Sequence, residues 1–266
     1  MSVTKEYLKK GNRIISIVEE QEDTIRQVAR MFASSILNGR MVHLFGSGHS
    51  RMMVEEMWPR YGSFPGFNPI VELSLSFHNL VVGSNGQRQA MFLENVPGLA
   101  SRILRNFDTS PQDSALVISS SGCNVVPIEM AEEFQKRNIK VVALVSRLHS
   151  EGSTSKKADG KKLTDFADII LDTGAPLGDA MIYLEGLDSP VAPGSTLGGV
   201  LLINCLKAEI AKILHENGKT PIVLSSGKIV GEKRAVELFE SAYDEHAHLM
   251  AKLFENVGKN EGDDGT

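Results

Sequence analysis

A stretch rich in serine and glycine has the residue types, and the place in the chain, that phosphate binding needs. Residues 119–124 (Ser-Ser-Ser-Gly-Cys-Asn) join the apolar run 115–118 to a segment with helical character at 125–136. The start of a helix leaves backbone N–H groups without partners and carries the positive end of the helix dipole, so it attracts anions. The spacing therefore predicts an anion site where the strand passes into the helix.

The side chains of this stretch also suit an anion. Ser119 and Ser121 can donate hydrogen bonds to phosphate oxygens, and Ser120 supplies a third hydroxyl. Gly122 permits a positive φ or a close backbone approach, and Asn124 is a good N-cap whose side chain can also turn outward. A polar strand-to-helix turn with an ordinary cap has the same composition, so the stretch alone leaves both interpretations open.

A second loop of the same kind favours the anion site. Residues 41–45 predict a buried strand, and 46–50 (Gly-Ser-Gly-His-Ser) follow before another helical stretch. Two such loops in one α/β chain point to a shared function. The third glycine of the dinucleotide pattern G-x-G-x-x-G is replaced by Arg51, which argues against a nucleotide site.

Together the two loops resemble the sugar isomerase (SIS) domain, and the resemblance covers roughly residues 35–215. It implies an α/β fold with a doubly wound, five-stranded parallel sheet and flavodoxin-like layers, to which the apolar spacing of this sequence adds long N-terminal and C-terminal helices. It also implies that the Ser-x-Ser-Gly-x-Thr/Asn loop holds the phosphate of a sugar phosphate. The expected phosphate- or substrate-binding residues are Gly46, Ser47, Ser50, Ser119, Ser120, Ser121, Gly122, Asn124 and Arg147.

Two adjacent glutamates are candidates for the catalytic base. Chemistry on a sugar phosphate usually begins by removing the proton next to the carbonyl, which requires a carboxylate or imidazole within reach. Glu55 and Glu56 lie on the helix after the first loop, so one of them can face the edge of the sheet where ligands bind. Segment 54–61 resembles part of the phosphoheptose isomerases, which makes Glu56 the counterpart of their catalytic glutamate. Both glutamates could instead be solvated surface charges.

A long helix predicted toward the C-terminus departs from the isomerase pattern. It carries Asn204 where phosphoheptose isomerases carry a catalytic histidine. Its entry, 193–196 (Pro-Gly-Ser-Thr), is similar instead to that of N-acetylmuramic acid 6-phosphate etherases, which use two glutamates. In that resemblance Glu55 or Glu56 takes the first place and Glu94 takes the second. For Glu94 a surface role is equally open.

Histidines and an arginine are further candidates. His49 lies inside the first loop and is the preferred imidazole, whereas His78 and His149 lie in turn-rich stretches that could fold over the site. His43 lies within a strand and is expected to pack in the core. Arg147 follows a strand, so it can pair with a phosphate or a sugar carboxylate. No H-x-x-x-H or similar ligand spacing supports a metal, and no cofactor is expected.

The elements that position these residues follow from apolar periodicity. Residues 2–38 contain no proline and have a spacing that predicts one long or once-broken helix. Strands then alternate with helices, which indicates parallel pairing. Predicted strands are 41–45, 69–73, 114–119, 140–145 and 168–171. Predicted helices are 96–106, 125–136, one that opens at 194–199 with Ser195 or Thr196 as its cap, and 233–254.

Composition limits the class of function. The 266 residues suffice for one globular domain, and the formal charge of −5, without a helix-turn-helix extension, argues against nucleic acid. No apolar stretch approaches the roughly twenty residues of a membrane span. The two cysteines are too few for a disulfide framework, which is typical of a cytoplasmic protein. A lysine cluster at 156–162 is expected to form a solvated loop that could draw anions inward.

The sequence therefore predicts a cytoplasmic phosphosugar-binding protein that assembles as a homodimer or homotetramer. We expect residues 1–38 to form a helical dimerisation segment, 39–254 the SIS domain with its C-terminal helices, and 255–266 a disordered tail. The leading function is aldose–ketose isomerisation through an enediol, with Glu56 or Glu55 as base and His49 or a partner chain's histidine as acid. A phosphosugar etherase or lyase and a non-catalytic sugar-phosphate-binding protein are the alternatives.

Overall fold

A parallel sheet of five strands is the framework of the protein, seen in a computed structural model that describes residues 1–76 and 86–257. Its strands are β1 (Val42–Gly46), β2 (Phe67–Ile70), β3 (Ser114–Ile118), β4 (Lys140–Val145) and β5 (Ile169–Asp172). They lie in the order β2-β1-β3-β4-β5, which is the flavodoxin-like doubly wound order. The predicted fold class is confirmed.

Helices cover both faces of the sheet. Their bounds are α1 (Val3–Glu19), α2 (Glu22–Leu37), α3 (Arg51–Met57), α4 (Leu73–Ser76), α5 (Gly86–Leu93), α6 (Leu99–Leu104), α7 (Val125–Lys136), α8 (Arg147–Glu151), α9 (Ser195–Glu216), α10 (Gly227–Val230) and α11 (Glu232–Lys252). Short 3₁₀ turns occupy Gly48–Ser50 and Leu163–Phe166. An antiparallel pair, β6 (Ala180–Ile182) and β7 (Val191–Pro193), lies between β5 and α9 along the chain.

Side chains of the strands contribute to two separate cores, because successive residues of a strand point to opposite faces of a sheet. Leu44 and Leu116 pack with α2, α3 and α9 on one face. Phe45 and Val117 pack with α6 and α7 on the other. Every residue of β1 and β3 is buried, as expected of central strands covered on both sides.

The N-terminal segment forms two helices, in agreement with the prediction of a once-broken helix. The apolar face of α2 enters the first core through Val28, Phe32 and Ile36. Ile14 of α1 is buried in a small cluster with the β6–β7 pair. The apolar face of α2 thus covers the sheet of its own chain, and dimerisation through residues 1–38 stays a prediction. The predicted tail lies mostly outside the described residues.

The starts of β2 and α6 differ from the prediction by two and three residues, for local reasons. β2 begins at Phe67 rather than spanning 69–73, because the pairing with β1 starts between Phe67 and Val42. Pro69 has no N–H to donate, and β2 tolerates it as an edge strand. α6 begins at Leu99 rather than at 96, because Gly98 has a φ of +81°, which is incompatible with a right-handed helix.

The cap of α9 comes from a distant carboxylate, so the prediction that Ser195 or Thr196 caps this helix is wrong. Asp179 Oδ1 accepts hydrogen bonds from the N–H groups of Gly194 at 3.1 Å and Ser195 at 2.7 Å. Its Oδ2 accepts one from Ser195 Oγ at 2.8 Å. The negative charge also complements the positive end of the helix dipole. Since Asp179 directly precedes β6, this contact fixes the start of α9 to the β6–β7 pair.

A buried polar network lies at the amino end of β1. His43 is fully buried, with Nε2 3.2 Å from Asp113 Oδ2 and Nδ1 3.0 Å from Asn68 Nδ2. Where the Asn68 amide donates to Nδ1, the Nε2–H group of His43 donates to the Asp113 carboxylate. Arg40 donates to both oxygens of Asp113, at 2.9 and 3.0 Å. The prediction that His43 is a core residue is confirmed.

We predict that Asp113 makes the stability of the protein depend on acid pH. Burial raises the pKa of this carboxyl, but hydrogen bonds from His43 and Arg40 outweigh burial and lower the pKa from 3.8 to about 2. Because the folded-state pKa is depressed, the stabilisation is present above about pH 4 and is lost as the pH falls to about 2. Between about pH 6 and about pH 2, Asp113→Asn should lose about 2 kcal/mol less unfolding free energy than the wild type, measured by urea denaturation.

The matched control is Asp244→Asn, which changes an exposed aspartate on α11 and should keep the wild-type pH dependence. The carboxyl carbon resonance of Asp113 in the wild-type protein gives the same pKa without any substitution. An Asp113 pKa near the ordinary value of 3.8 would contradict the proposed role of the network.

Candidate functional site

The loops that follow β1 and β3 meet at the carboxyl edge of the sheet. β1 and β3 are neighbours, and Gly46 pairs with Ile118, so the two loops leave the sheet at the same level. β2 lies on one side of this pair, and β4 and β5 lie on the other, so the winding of the chain reverses here. In doubly wound folds, ligands bind at this switch point. The structure therefore brings together loops 46–50 and 119–124.

Glu94 connects these two loops. Its Oε1 accepts a hydrogen bond from Ser47 Oγ in the first loop, and its Oε2 accepts one from Asn124 Nδ2 in the second at 2.6 Å. Ser47 is buried, while Glu94 and Asn124 are partly buried. The carbonyl of Glu94 accepts a hydrogen bond from the Val126 N–H at 2.9 Å, which ties it to the start of α7. A carboxylate is thus held between the loops.

The surroundings of Glu94 change its acidity. Burial raises the pKa of this carboxyl above the ordinary value, against the lowering effects of the Ser47 hydrogen bond, the Lys156 charge and the Asn124 hydrogen bond. A carboxyl with a raised pKa takes up and releases protons closer to neutral pH than an exposed one does. Its position and its acidity together suit Glu94 to proton transfer.

Side chains within the second loop fix its shape. Ser119 Oγ accepts a hydrogen bond from the Gly122 N–H at 3.2 Å, and Ser121 Oγ accepts one from the Cys123 N–H at 3.3 Å. Gly122 has a φ of +63°, and a Cβ at this position would lie 3.2 Å from the Cβ of Leu163. Glycine is therefore needed here for both its backbone angle and its small size.

The first N–H groups of α7 already have partners. The Val125 N–H donates to Asn95 Oδ1 at 3.4 Å, and the Val126 N–H donates to the Glu94 carbonyl. These two groups are not free for an anion, contrary to the simplest picture of a helix start. An anion at this loop must rely on the loop itself and on the dipole of α7.

The Ser120 hydroxyl differs from its neighbours. Its oxygen is buried, and it has no hydrogen-bond partner in the described parts of the chain. Leaving a buried polar group unsatisfied costs about 1–3 kcal/mol. A ligand that accepts a hydrogen bond from Ser120 would remove this cost.

Lysine charge lies close to both Glu94 and the serine loop. The Lys156 N–H donates to the Cys123 carbonyl at 2.9 Å, so the segment after α8 packs on the second loop. The Lys156 charge lowers the pKa of Glu94. Burial raises the pKa of the Cys123 thiol, and the charges of Lys162 and Lys156 oppose this effect. Sequence reasoning did not separate Lys156 from the other lysines of its cluster, because only the fold brings it to residue 94.

Glu56 lies in a different cluster, where α3 faces α9. Its Oε1 accepts a hydrogen bond from Asn204 Nδ2 at 2.8 Å, its Oε2 lies 2.5 Å from Arg60 Nη1, and Lys207 Nζ lies 3.8 Å from Oε1. Burial raises the pKa of Glu56, but the Asn204 and Arg60 hydrogen bonds and the Lys207 charge outweigh it, so the pKa is lowered. Glu56, Arg60, Asn204 and Lys207 are called the α3–α9 cluster below.

Within one chain, the α3–α9 cluster is separated from the two loops. Gly198 of α9 packs against the carbonyl of Thr173, just after β5, whereas Lys219 beyond α9 reaches the carbonyl of Ile36, shortly before β1. α9 therefore runs from the carboxyl edge of the sheet to its amino edge. At a rise of about 1.5 Å per residue, Asn204 lies about 9 Å along the helix from Gly198. Buried Lys207, which sequence reasoning missed, lies further along still.

The first loop is a tight turn. The Ser50 N–H donates to the Ser47 carbonyl at 3.0 Å. A Cβ at Gly46 would lie 2.7 Å from the Ser50 carbonyl oxygen, so only glycine fits there. His49 belongs to this turn and is exposed, and its acid–base role stays a prediction.

The remaining predicted residues lie around this edge or on the surface. Glu55 is exposed and lies 3.5 Å from an arginine one turn earlier on α3. Arg147 is exposed at the start of α8. His149 Nδ1 accepts a hydrogen bond from the Gly178 N–H at 2.9 Å, which supports the turn before β6. His78 lies outside the described residues.

Residues 1–76 and 86–257 contain neither a cluster of metal ligands nor a membrane-spanning helix. Within these ranges, no three His, Cys, Asp or Glu side chains are grouped so as to hold a metal ion. None of the helices there combines the length and the apolar character of a membrane span. Cys123 is buried, Cys205 is exposed, and both are free thiols.

Known proteins resemble this chain in sequence and in fold. A UPF0309 protein of Halalkalibacterium halodurans is 35% identical over 229 residues, or 85% of this chain and 91% of that protein. A UPF0309 protein of Listeria monocytogenes serotype 4b is 30% identical over 235 residues, or 88% and 93%. The phosphoheptose isomerase of Neisseria gonorrhoeae superposes with a TM-score of 0.49 at 15% identity, and the match covers 79% of this chain and 97% of that one. The phosphoheptose isomerase of Francisella tularensis superposes with a TM-score of 0.49 at 17% identity, and the match covers 80% of this chain and 100% of that one.

The match to a family model is more extensive than a shared motif. The model described as the SIS domain matches residues 6–146, which is more than half of the chain. The matched range includes both loops and Glu94. This chain belongs to the SIS domain family.

Proposed function

We propose that this protein binds a sugar phosphate at the two loops and interconverts its aldose and ketose forms. The observation that carries the proposal is the Glu94 carboxylate, which accepts hydrogen bonds from Ser47 on one loop and Asn124 on the other. It is partly buried, has a raised pKa, and lies at the switch point of the sheet. Membership of the SIS family supports a sugar phosphate as the ligand.

The phosphate is proposed to bind at the second loop. Ser120 supplies a buried hydroxyl that needs an acceptor, and the loop leads into the positive end of the α7 dipole. Lys156 brings a positive charge close to the same place. A dianion is the ligand that such a combination of donor, dipole and charge would stabilise best.

Glu94 then performs both proton transfers at carbon. Its carboxylate takes the proton from C2, next to the aldehyde carbon C1, and an enediol forms as the carbonyl oxygen gains a proton. The carboxyl returns the proton to C1 while the C2 hydroxyl loses its proton, so the product is the ketose and no atom is gained or lost. A raised pKa favours this role, because the carboxyl then holds the proton more tightly between the two transfers. His49 is the proposed group for the protons on oxygen.

A phosphosugar etherase or lyase is the second candidate, and one observation favours it. Asn204 contacts Glu56 at 2.8 Å, in the position where phosphoheptose isomerases carry histidine, and an amide does not titrate near neutral pH. In the resemblance to the etherases, Glu94 takes the place of their second glutamate. In that reaction the base removes the proton next to the carbonyl, and the neighbouring carbon releases its ether substituent, whose oxygen gains a proton and leaves as an alcohol. Water then adds across the carbon–carbon double bond that has formed.

We predict that Glu94→Gln stops proton exchange at C2 and leaves phosphate binding in place. The measurement is proton NMR in D₂O with a panel of hexose, heptose and amino-sugar phosphates, following the C2 proton signal. Glutamine cannot accept the proton, so exchange should fall at least about 10²-fold. In the wild type, exchange should rise with pH as Glu94 loses its proton, with a midpoint above the ordinary glutamate value of 4.5.

The control variants are Glu56→Gln and Glu55→Gln, which change the other two candidate bases and should keep most of the exchange. Loss of exchange in Glu56→Gln but not in Glu94→Gln would move the base to the α3–α9 cluster. A ketose product supports the isomerase, and loss of an ether substituent supports the etherase. Binding without exchange across the panel would leave only the binding function.

We predict that Ser120→Ala weakens the binding of inorganic phosphate without lowering stability. The variant removes a donor to a charged acceptor, so Kd should rise by about tenfold in titration calorimetry. Its unfolding free energy should stay equal to that of the wild type or exceed it, because the buried hydroxyl has no partner in the described protein. Ser101→Ala, on α6, is the control for the binding measurement and should keep the wild-type phosphate affinity. Equal phosphate affinity in Ser120→Ala and the wild type would exclude this hydroxyl from the phosphate site.

A further inference from the structure

The turn between β6 and β7 exposes large apolar side chains. We call residues 183–191 the β6–β7 tip, and residues 183–189 are exposed throughout. The exposed fractions are 74% for Tyr183, 36% for Leu184 and 54% for Leu187. Val191 at the start of β7 is also exposed. Clustered apolar groups on a projecting turn are typical of a contact surface rather than of a free loop.

The β6–β7 tip also carries negative charge. Glu185 and Asp188 are exposed beside these apolar side chains. Neither forms an ion pair with any other residue that the structure describes. A surface that receives this tip must therefore be apolar and must offer positive charge.

An apolar groove with such charge lies beside the tip. It has a volume of about 370 Å³ and runs between α1, α8 and the segment that leads into β6. Tyr183 forms part of its rim, and Lys10 and Arg13 of α1 form one wall. Its apolar lining includes Ile14, Ile17, Leu148, Leu177 and Met181. Leu148 and Leu177 are more than half exposed, so the groove is open to a partner.

Lys10 and Arg13 on this wall differ in their contacts with the rest of the chain. Lys10 donates to the carbonyl of Met181 and lies 3.0 Å from Glu6, so it helps to hold β6 against α1. Arg13 lies 3.6 Å from Glu20, and 68% of its side chain is exposed. Ion pairs as exposed as this one contribute little free energy, so Arg13 can exchange its partner at small cost.

We propose that two copies of this chain pair about a two-fold axis, each inserting its β6–β7 tip into the groove of the other. Apolar side chains of the tip fill the apolar groove, and the acidic pair of the tip meets Lys10 and Arg13. A two-fold contact requires one patch to be complementary to itself, with both halves side by side. Tip and groove meet this requirement, since Tyr183 belongs to both.

A second copy is the favoured occupant because this chain carries both complementary halves. An unrelated partner would explain the exposed tip or the open groove, but it gives no reason for their matched charge and their adjacency. The pairing also gives the predicted dimerisation segment 1–38 a defined part, because α1 supplies the charged wall. Arg147 and His149, which flank Leu148 in α8, come to lie beside the interface.

Charge reversal tests the pairing in the full-length protein. We expect the wild type to sediment as a dimer or a larger even assembly in analytical ultracentrifugation. The E185K/D188K variant places positive charge opposite Lys10 and Arg13, and should raise the dissociation constant at least about tenfold. Arg13→Glu should raise it in the same direction, and Lys10 is left unchanged because it supports β6.

Mixing the two charge variants is the decisive step. The basic tip of E185K/D188K then faces the groove of the Arg13→Glu variant, whose wall has gained a negative charge. The acidic tip of the Arg13→Glu variant faces an unchanged groove, so heterodimers should form where each variant alone dissociates.

Two further variants calibrate this experiment. Leu187→Asp removes an apolar anchor and should dissociate the protein alone or mixed. Lys233→Glu, an exposed charge reversal on α11, should leave the assembly unchanged. Circular dichroism confirms that each variant is folded.

Three results would overturn the proposal. The first is a wild-type protein that is monomeric over the whole concentration range. The second is an unchanged dissociation constant in both E185K/D188K and Leu187→Asp, which would place the contact elsewhere. The third is a mixture of the two charge variants that dissociates as readily as each variant alone.

Discussion

The parallel register between β1 and β3 is the constraint on which the rest of this structure depends. Gly46 pairs with Ile118, so two loops about seventy residues apart in sequence start at one level of one edge. The two apolar cores maintain this register, because both strands are buried on both faces and a slip of one residue would move each side chain into the opposite core. The meeting of the loops is therefore a consequence of core packing.

Two glutamates of this protein differ in acidity because they lie in different surroundings. Glu94 is bound by neutral donors in a partly buried position, and burial dominates, so its pKa is raised. Glu56 lies beside Arg60 and Lys207, and its pKa is lowered in spite of burial. The first environment suits a group that exchanges protons, and the second suits a permanent charge. A glutamate in the sequence does not reveal which of the two it will be.

Asp179 links the sheet edge to the surface proposed for pairing. It caps α9, whose first turns pack next to β5, and it directly precedes β6. The β6–β7 pair is therefore fixed relative to the carboxyl edge, although its strands have only three residues each. Through this contact, the proposed dimer surface and the proposed catalytic site share one rigid support.

The sequence by itself determined the features that depend on neighbouring residues. Apolar runs and turn residues predicted the alternating strands and helices, the bounds of α7 and β4, and the serine loop between β3 and α7, because hydrophobic period and turn chemistry are local. Only the tertiary structure decided that Glu94, rather than Glu56, lies between the loops, that Lys156 is near it, and that Asp179 caps α9. These contacts join residues far apart in the chain, and they follow from strand order, helix docking and burial, which no short segment encodes.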